Sequence, residues 1–167
     1  GWFEIAVHDA DPVRGNESRN DVPRQPQDVG NRLRAVPLDL RGEIDTVDAP
    51  EPHVALLGRL PYTIMISHCG GGYSRYEDLA VTRWCADGTT DQTGQFCYIR
   101  DVQSGRVWSA AHQPVCAPAD WYQARLATDR VTFHRRDDGI ETRTEVVVTP
   151  VDGAEVRRVT VSNETES

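Results

Sequence analysis

Residues 130–149 decide the fold, and they read RVTFHRRDDGIETRTEVVVT. In the middle stands Asp138-Gly139, a dipeptide that supplies the positive φ angles of a tight hairpin turn. After the turn, one face of the segment is mostly β-branched: Ile140, Thr142, Thr144, Val146 and Val148. The other face is charged: Glu141, Arg143 and Glu145. This period of two predicts two antiparallel strands with one buried and one solvated face.

A similar strand-like sequence pattern extends along the chain from about residue 53. Short runs of Val, Ile, Thr and aromatic residues alternate with clusters of Gly, Asp, Pro or Asn, which is the signature of strands. The runs predict strands at 54–57, 62–68, 79–85, 95–101, 106–109, 121–127, 130–136, 140–149 and 154–163. No window of eleven or more residues has the apolar period of a helix. The prediction is therefore an all-β, antiparallel β-sandwich.

Residues 1–52 differ from the rest in composition. They hold six of the ten prolines and no sustained period, which predicts an irregular Pro- and acid-rich arm or linker. Within this arm, residues 2–7 are apolar enough to add a strand. A β-sandwich domain is predicted over 53–167, and we expect it to be incomplete at its C-terminal end because the last predicted strand has no closing turn.

The charge balance excludes several classes of partner. With 26 acidic and 18 basic residues, the net charge of −8 argues against nucleic acid and against direct membrane contact. The four cysteines lie more than ten residues apart and form no metal-binding pair, so we expect reduced thiols in the cytoplasm and no metal site.

Residues 68–78, HCGGGYSRYED, are the most unusual stretch. Consecutive glycines are typical of a sharp turn, or of close approach by another backbone or a ligand. We interpret the stretch as a loop whose Tyr, Ser, Arg and acidic groups suit sugar hydroxyls or a neighbouring domain. The alternative is a hairpin whose tyrosines cover the core and whose Arg75 and Asp78 pair at the surface.

Three tryptophans can each be interpreted as a sugar-binding surface or as a core residue. Trp84, Trp108 and Trp121 can each be a sugar platform, although a Trp on a strand is more often core.

Paired carboxylates for glycoside hydrolysis are also conceivable among the acidic residues at 77–101. No complete set of catalytic residues is visible in the sequence.

Several separated blocks together resemble the amino-terminal domain of glycoside hydrolase family 94. In order, the blocks are YTIMI (62–66), GGYSR (71–75), DLAVTRW (78–84), YIRD (98–101), GRVWSA (105–110), QP (113–114), FHRR (133–136), GIETRTEVVV (139–148) and EVRRVT (155–160). Within the family the resemblance is strongest to cyclic β-1,2-glucan synthases and β-1,2-oligoglucan phosphorylases, with cellobiose phosphorylases as further relatives.

The resemblance implies a galactose-mutarotase-like supersandwich that precedes a helical (α/α)6 barrel. In such inverting phosphorylases and glycosyltransferases, an aspartate on the barrel is the general acid and inorganic phosphate is the co-substrate, with no other cofactor. The barrel is not among these residues, so we expect the chain to be inactive by itself and to have no catalytic residue of its own.

The resemblance also implies partners and a site. The partners are a β-linked gluco-oligosaccharide, the helical barrel of the same polypeptide and a second copy in a homodimer, at a cytoplasmic location or on the cytoplasmic face of the inner membrane. The implied role is substrate positioning together with dimer or interdomain contacts; alternatives are a free-standing carbohydrate-binding module and a purely structural interaction domain. The residues that match the binding block are Tyr73, Ser74 and Arg75, followed by Asp78, Arg83 and Trp84.

Overall fold

The computed structural model describes residues 3–9, 42–82 and 93–165, with side chains from residue 42 onward. In these ranges it contains twelve strands and no helix, and every strand pair is antiparallel, which confirms the all-β prediction. No helix within them is long and apolar enough to cross a membrane. The strands are β1 (Phe3–Asp9), β2 (Glu43–Ile44), β3 (Val54–Arg59), β4 (Tyr62–Ser67), β5 (Gly72–Tyr76), β6 (Leu79–Ala80), β7 (Gln95–Asp101), β8 (Val107–Ser109), β9 (Trp121–Leu126), β10 (Arg130–Asp137), β11 (Ile140–Val148) and β12 (Glu155–Asn163).

The strands form three sheets. Five strands make the largest, in the order β12-β11-β10-β9-β2, and the smaller sheets are β3-β4-β5-β6 and β1-β7-β8. One hydrophobic cluster joins the large sheet to the four-stranded sheet through residues such as Ile64, Ile66 and Phe133. A second cluster joins it to β7 and β8 through Ile99, Trp108 and Ile140. The large sheet is therefore one layer of a sandwich, and the two smaller sheets make up the other.

The β10–β11 hairpin has the geometry that its sequence predicts. Asp138 and Gly139 both have positive φ, 49° and 77°, and Asp137 pairs with Ile140 across a two-residue turn. Thr142 and Val146 are fully buried on the inner face, whereas Arg143 on the other face is exposed. The alternation confirms the predicted buried and solvated faces.

The inner face of β10 also carries a buried ion pair. Arg135 and Asp137 are both 0% exposed and form a two-pronged contact, with Nε and Nη2 each 2.7 Å from a carboxylate oxygen. The remaining donors reach backbone carbonyls: Nη1 contacts Ser109 at 3.0 Å and Ala111 at 2.5 Å, and Nη2 contacts Ala117 at 3.3 Å. The guanidinium thus fastens the connection between β8 and β9 to the large sheet.

Two parts of the sequence prediction need correction. The sequence predicts a loop over residues 68–78, with a hairpin as the alternative, but Gly72–Tyr76 form strand β5, paired with β4. Of the strand predicted over 79–85, residues 79–82 are described, and Leu79–Ala80 form a strand while 81–82 do not; residues 83–92 lie outside the described ranges.

Two strands lie in the segment predicted as an arm. β1 pairs with β7 over Phe3–Asp9, in line with the apolar residues noted at 2–7, and β2 pairs with β9. The boundary at residues 52 and 53 stays a prediction.

We expect Arg135→Met to lower the free energy of unfolding by about 3–5 kcal/mol, because the buried Asp137 carboxylate loses its bidentate partner and keeps the more distant Arg106 Nη2, at 3.8 Å. Urea denaturation followed by tryptophan fluorescence measures this loss. The matched control is Arg136→Met on the solvated face, where the side chain is 50% exposed and the expected loss is below about 1 kcal/mol. Equal losses in the two variants would contradict the structural role of Arg135.

Candidate functional site

The glycine run is explained by packing within the protein. Gly70 has φ +95°, and a Cβ there would lie 2.5 Å from the Ala111 Cβ. A Cβ on Gly72 would collide with the carbonyl oxygen of Met65 on the neighbouring strand. A sharp turn therefore accounts for Gly70, and close approach of a neighbouring backbone accounts for Gly72. No ligand is needed to explain either residue.

The residues of the predicted binding block lie on both sides of β5. Tyr73 and Arg75 are half-buried on one face, whereas Ser74 is 2% exposed on the other. Arg75 Nη2 lies 4.0 Å from Asp78 Oδ1, and the Asp78 side chain is fully exposed. Arg83 and Trp84 lie outside the described residues. The structure thus brings Arg75 and Asp78 together at the surface, as in the hairpin alternative, and places Ser74 in the interior.

Apolar side chains are exposed around the end of this hairpin. Leu60 is 77% exposed, Tyr76 48%, Leu79 70% and Val81 56%. They are brought together because Tyr76 pairs with Leu79, and the turn that follows β5 bonds to the Leu60–Pro61 turn through Glu77 N–H and Pro61 O at 2.6 Å. We call these four residues the hairpin-tip patch. Exposed apolar side chains grouped in this way indicate an interaction site, whereas single exposed ones are ordinary.

A second surface lies at the start of β9. Trp121 is 43% exposed and lines a cleft of about 370 Å³ together with Asp45, His112 and Asp120. Its indole ring meets the His134 imidazole edge-on at a centroid distance of 4.8 Å. This arrangement of an exposed indole beside carboxylates suits a sugar ring.

The other tryptophans do not share this placement. Trp108 is 1% exposed and belongs to the second core cluster, so it is no platform for an external sugar, and Trp84 is not described. Within residues 42–82 and 93–165, Trp121 is thus the tryptophan that is exposed to solvent.

A polar cluster at the β4–β5 turn could not be read from the sequence. His68 Nδ1 accepts a hydrogen bond from the backbone N–H of His53 at 3.3 Å, so Nε2 carries the proton and donates to Val47 O at 3.3 Å. The Tyr122 hydroxyl donates to His68 O at 2.6 Å. Burial lowers the pKa of His68 and raises that of Tyr122.

The thiol of Cys69 belongs to the same cluster. Its Sγ lies 3.4 Å from His68 Nε2, and burial, with smaller contributions from Cys116 and Asp48, raises its pKa to about 11. A thiol of that pKa is protonated at neutral pH and is a poor nucleophile. The side chains of His68, Cys69 and Tyr122 therefore pack around the β4–β5 turn as uncharged groups. No group of three metal-ligating side chains occurs within the described ranges.

Of the acidic residues at 77–101 considered for glycoside hydrolysis, Glu77, Asp78 and Asp101 are described, whereas Asp87 and Asp91 lie outside the described residues. Asp101 accepts hydrogen bonds from Gln103 N, Ser104 N and Ser104 Oγ, and the Ser104 hydroxyl, with the backbone N–H groups, lowers its pKa. Glu77 and Asp78 are exposed at a turn. Neither arrangement shows a catalytic acid in a closed pocket.

Comparison with known proteins identifies the family. Residues 42–167 match the family described as "Glycosyl hydrolase 94, supersandwich domain". This chain belongs to glycoside hydrolase family 94. The match confirms the resemblance deduced from the separated sequence blocks.

Individual relatives are much longer than this chain. It is 29% identical over 172 aligned positions to the cyclic beta-(1,2)-glucan synthase NdvB of Rhizobium meliloti (strain 1021), an alignment covering 97% of this chain and 6% of that protein. It is 35% identical over 121 positions to N,N'-diacetylchitobiose phosphorylase of Vibrio proteolyticus, covering 70% of this chain and 15% of the relative. The same enzyme from Vibrio furnissii is 32% identical over the same extent. The chain thus spans a small part of each relative.

We expect Gly72→Ala to destabilise the fold by about 3 kcal/mol or more, since the added methyl group meets a strand backbone that cannot rotate away. Gly105→Ala is the control: its φ is +73°, but nothing lies within 4 Å of the added Cβ, so the expected cost is about 1–2 kcal/mol. Urea unfolding of both variants measures the difference. A smaller effect at Gly72 than at Gly105 would show that the glycine run has another purpose.

We expect stability to fall as the pH drops from 7 to 5. Burial lowers the pKa of His68, and burial with the nearby Arg135 charge lowers that of His112, so the unfolded chain binds more protons below its histidine pKa of about 6.5. The contribution is present above that pH and is lost below it. His68→Gln should flatten this slope in urea titrations at a series of pH values, because it removes a group that the unfolded chain protonates more readily than the folded one. An unchanged slope in His68→Gln would refute the assignment.

Proposed function

We propose that this domain is a non-catalytic part of a glycoside phosphorylase or cyclic β-1,2-glucan synthase, and that it holds a β-linked gluco-oligosaccharide while contacting a neighbouring domain or a second copy. The parent enzyme would use inorganic phosphate as co-substrate and would act in the cytoplasm or at the cytoplasmic face of the inner membrane. Family membership and the names of the relatives support this proposal.

The observation that carries the proposal is the β5–β6 turn, which lies beside the β3–β4 turn at one end of the four-stranded sheet. There the exposed Arg75–Asp78 pair lies next to the hairpin-tip patch. Guanidinium and carboxylate groups suit vicinal sugar hydroxyls, and the apolar side chains suit a protein surface. One end of the four-stranded sheet therefore offers both kinds of contact that the function requires.

The proposed protein contact needs the apolar side chains themselves. Leu60 lies in the turn between β3 and β4 and Leu79 lies in β6, yet both are at least 70% exposed. Side chains this exposed contribute little to the core of the isolated chain, so their apolar surface remains for burial against a partner. Polar substitutions there should change association and leave folding intact.

A second candidate function is sugar binding by the domain alone, as in a carbohydrate-binding module. The exposed Trp121 and its cleft favour it. The two candidates use different sheets and can be separated in one experiment.

We expect titration of the isotope-labelled chain with β-1,2-linked gluco-oligosaccharides to give saturable amide shifts at Arg75, Tyr76 and Asp78 in NMR spectra. Arg75→Ala should abolish them because it removes the bidentate donor. Arg158→Ala is the matched control, since Arg158 is 73% exposed on β12 and pairs with Glu145. Shifts that survive in Arg75→Ala, or that are absent at millimolar sugar, would overturn sugar contact at the hairpin.

The same spectra test the second candidate. Binding at the cleft would move the indole N–H signal of Trp121 and leave that of buried Trp108 in place. Shifts at Trp121 alone would favour the carbohydrate-binding module.

A further inference from the structure

A groove of about 450 Å³ lies on the outer, solvated face of the large sheet. Along β10, Thr132 is opposite Arg125 of β9, and His134 is opposite Arg143 of β11. The two arginines therefore approach the same stretch of β10 from opposite sides, and both line the groove. The groove shares no lining residue with the Trp121 cleft, and it lies on a different sheet from the hairpin-tip patch.

The outer face of the large sheet differs in charge from the chain as a whole. Five basic residues lie on it: Arg125, Arg130, Arg136, Arg143 and Arg158. Three acidic residues share the face: Glu43, Glu141 and Glu145. This face therefore carries an excess of positive charge, although the net charge of the chain is −8. Such an excess attracts anions to this side of the molecule.

Most of the charges in the groove neutralise one another. Arg130 Nη1 donates to Glu145 Oε1 at 2.5 Å, and Arg130 Nε donates to Asp129 Oδ2 at 2.9 Å. The other oxygen of Glu145 accepts from Arg158 Nη2 at 2.5 Å. The hydrogen bond from Arg130 lowers the pKa of Asp129, and the charge of Arg125 contributes a smaller lowering. These two carboxylates are therefore ionised and already balanced by two guanidinium groups.

Two further guanidinium groups in the groove have no such balance. Neither Arg125 nor Arg143 forms a hydrogen bond or a salt bridge with a described residue. Among the described residues that line the groove, Glu43 is the carboxylate without an ion pair, and it lies opposite Arg125 on β2. The Thr132 hydroxyl, which lies between the two arginines, makes no hydrogen bond to a described residue either. The unpaired groups thus carry two positive charges and one negative charge around a hydroxyl donor.

The remaining donors favour one class of anion. A guanidinium group presents a planar fork of N–H donors that fits the oxygens of a carboxylate or of a phosphate group. Here the two forks come from opposite sides of a strand, and a hydroxyl lies between them. Oxygens that point in several directions, as those of a tetrahedral phosphate group do, can accept from all three donors, whereas the two oxygens of a carboxylate lie in one plane.

We propose that this groove binds a phosphate group, either free or esterified to a sugar, between the guanidinium groups of Arg125 and Arg143, with the Thr132 hydroxyl as a further donor. The site goes beyond the proposed function and does not depend on it, because the sugar contact proposed there lies on the four-stranded sheet. Since the groove is open to solvent, added salt screens the interaction and the expected dissociation constant is about millimolar.

The test is a titration of the isotope-labelled chain, at constant ionic strength, with inorganic phosphate, D-glucose 1-phosphate, acetate and D-glucose. We expect saturable shifts of the Nε–H signals of Arg125 and Arg143 with both phosphate compounds and none with glucose. Tighter binding of glucose 1-phosphate would identify the esterified group as the ligand, and tighter binding of inorganic phosphate would identify the free ion. Shifts at the Arg75 and Tyr76 amides report the hairpin instead, so each proposal can fail separately.

The same face of the sheet supplies a matched control. Arg136 carries the same charge, but it pairs with Glu141 and does not line the groove. Arg143→Gln should weaken phosphate binding about tenfold through loss of a charge-assisted contact, and Arg136→Gln should leave it within about twofold. Both side chains are exposed, so both variants should fold.

Glu43→Gln provides a variant with the opposite expected sign. It removes the unpaired carboxylate from the groove, so phosphate should bind about threefold more tightly. Absence of saturable shifts with both phosphate compounds, or weaker binding in Glu43→Gln, would overturn the assignment. Equal weakening in Arg143→Gln and Arg136→Gln would reduce the effect to net charge and overturn the site, and acetate binding as tightly as phosphate would overturn the choice of anion.

Discussion

The rest of the structure depends on the buried guanidinium of Arg135. Removed from water, it must have its donors satisfied, and it takes Asp137 and the carbonyls of Ser109, Ala111 and Ala117 as acceptors. This requirement fixes the connection between β8 and β9 on the inner face of the large sheet. This connection also contacts the glycine-containing turn between β4 and β5. Gln113 N–H donates a hydrogen bond to Cys69 O at 2.8 Å, and Ala111 packs against Gly70.

The position of that turn determines what the surface offers. The β4–β5 turn is held by buried neutral groups, and Arg75, Asp78 and the hairpin-tip patch lie at the opposite end of these strands, at the β3–β4 and β5–β6 turns. The outer face of the large sheet offers a different surface. There the register of the strands brings Arg125 of β9 and Arg143 of β11 to opposite sides of β10, and both line one groove.

Some of this arrangement was open to prediction from local pattern alone. The β10–β11 hairpin follows from Asp138-Gly139 and from a period of two, both of which depend only on neighbours in the chain. Strand β5 was missed because glycines and a short alternation resemble a loop until β4 is alongside. The buried ion pair could have been found from the sequence. Arg135 and Asp137 continue the alternation of Val131 and Phe133, which places two charged residues on the buried face of β10.

The sequence by itself determined the all-β class, the hairpin turns, the inner and outer faces of the long strands and the family, because backbone preference, side-chain alternation and ordered motifs are written along the chain. Only the tertiary structure decided that Ser74 is interior, that Trp121 and not Trp108 faces solvent, and that Arg125 and Arg143 line one groove. These outcomes depend on which strands lie side by side and which meet across the sandwich, and contacts between residues far apart in sequence leave no local pattern.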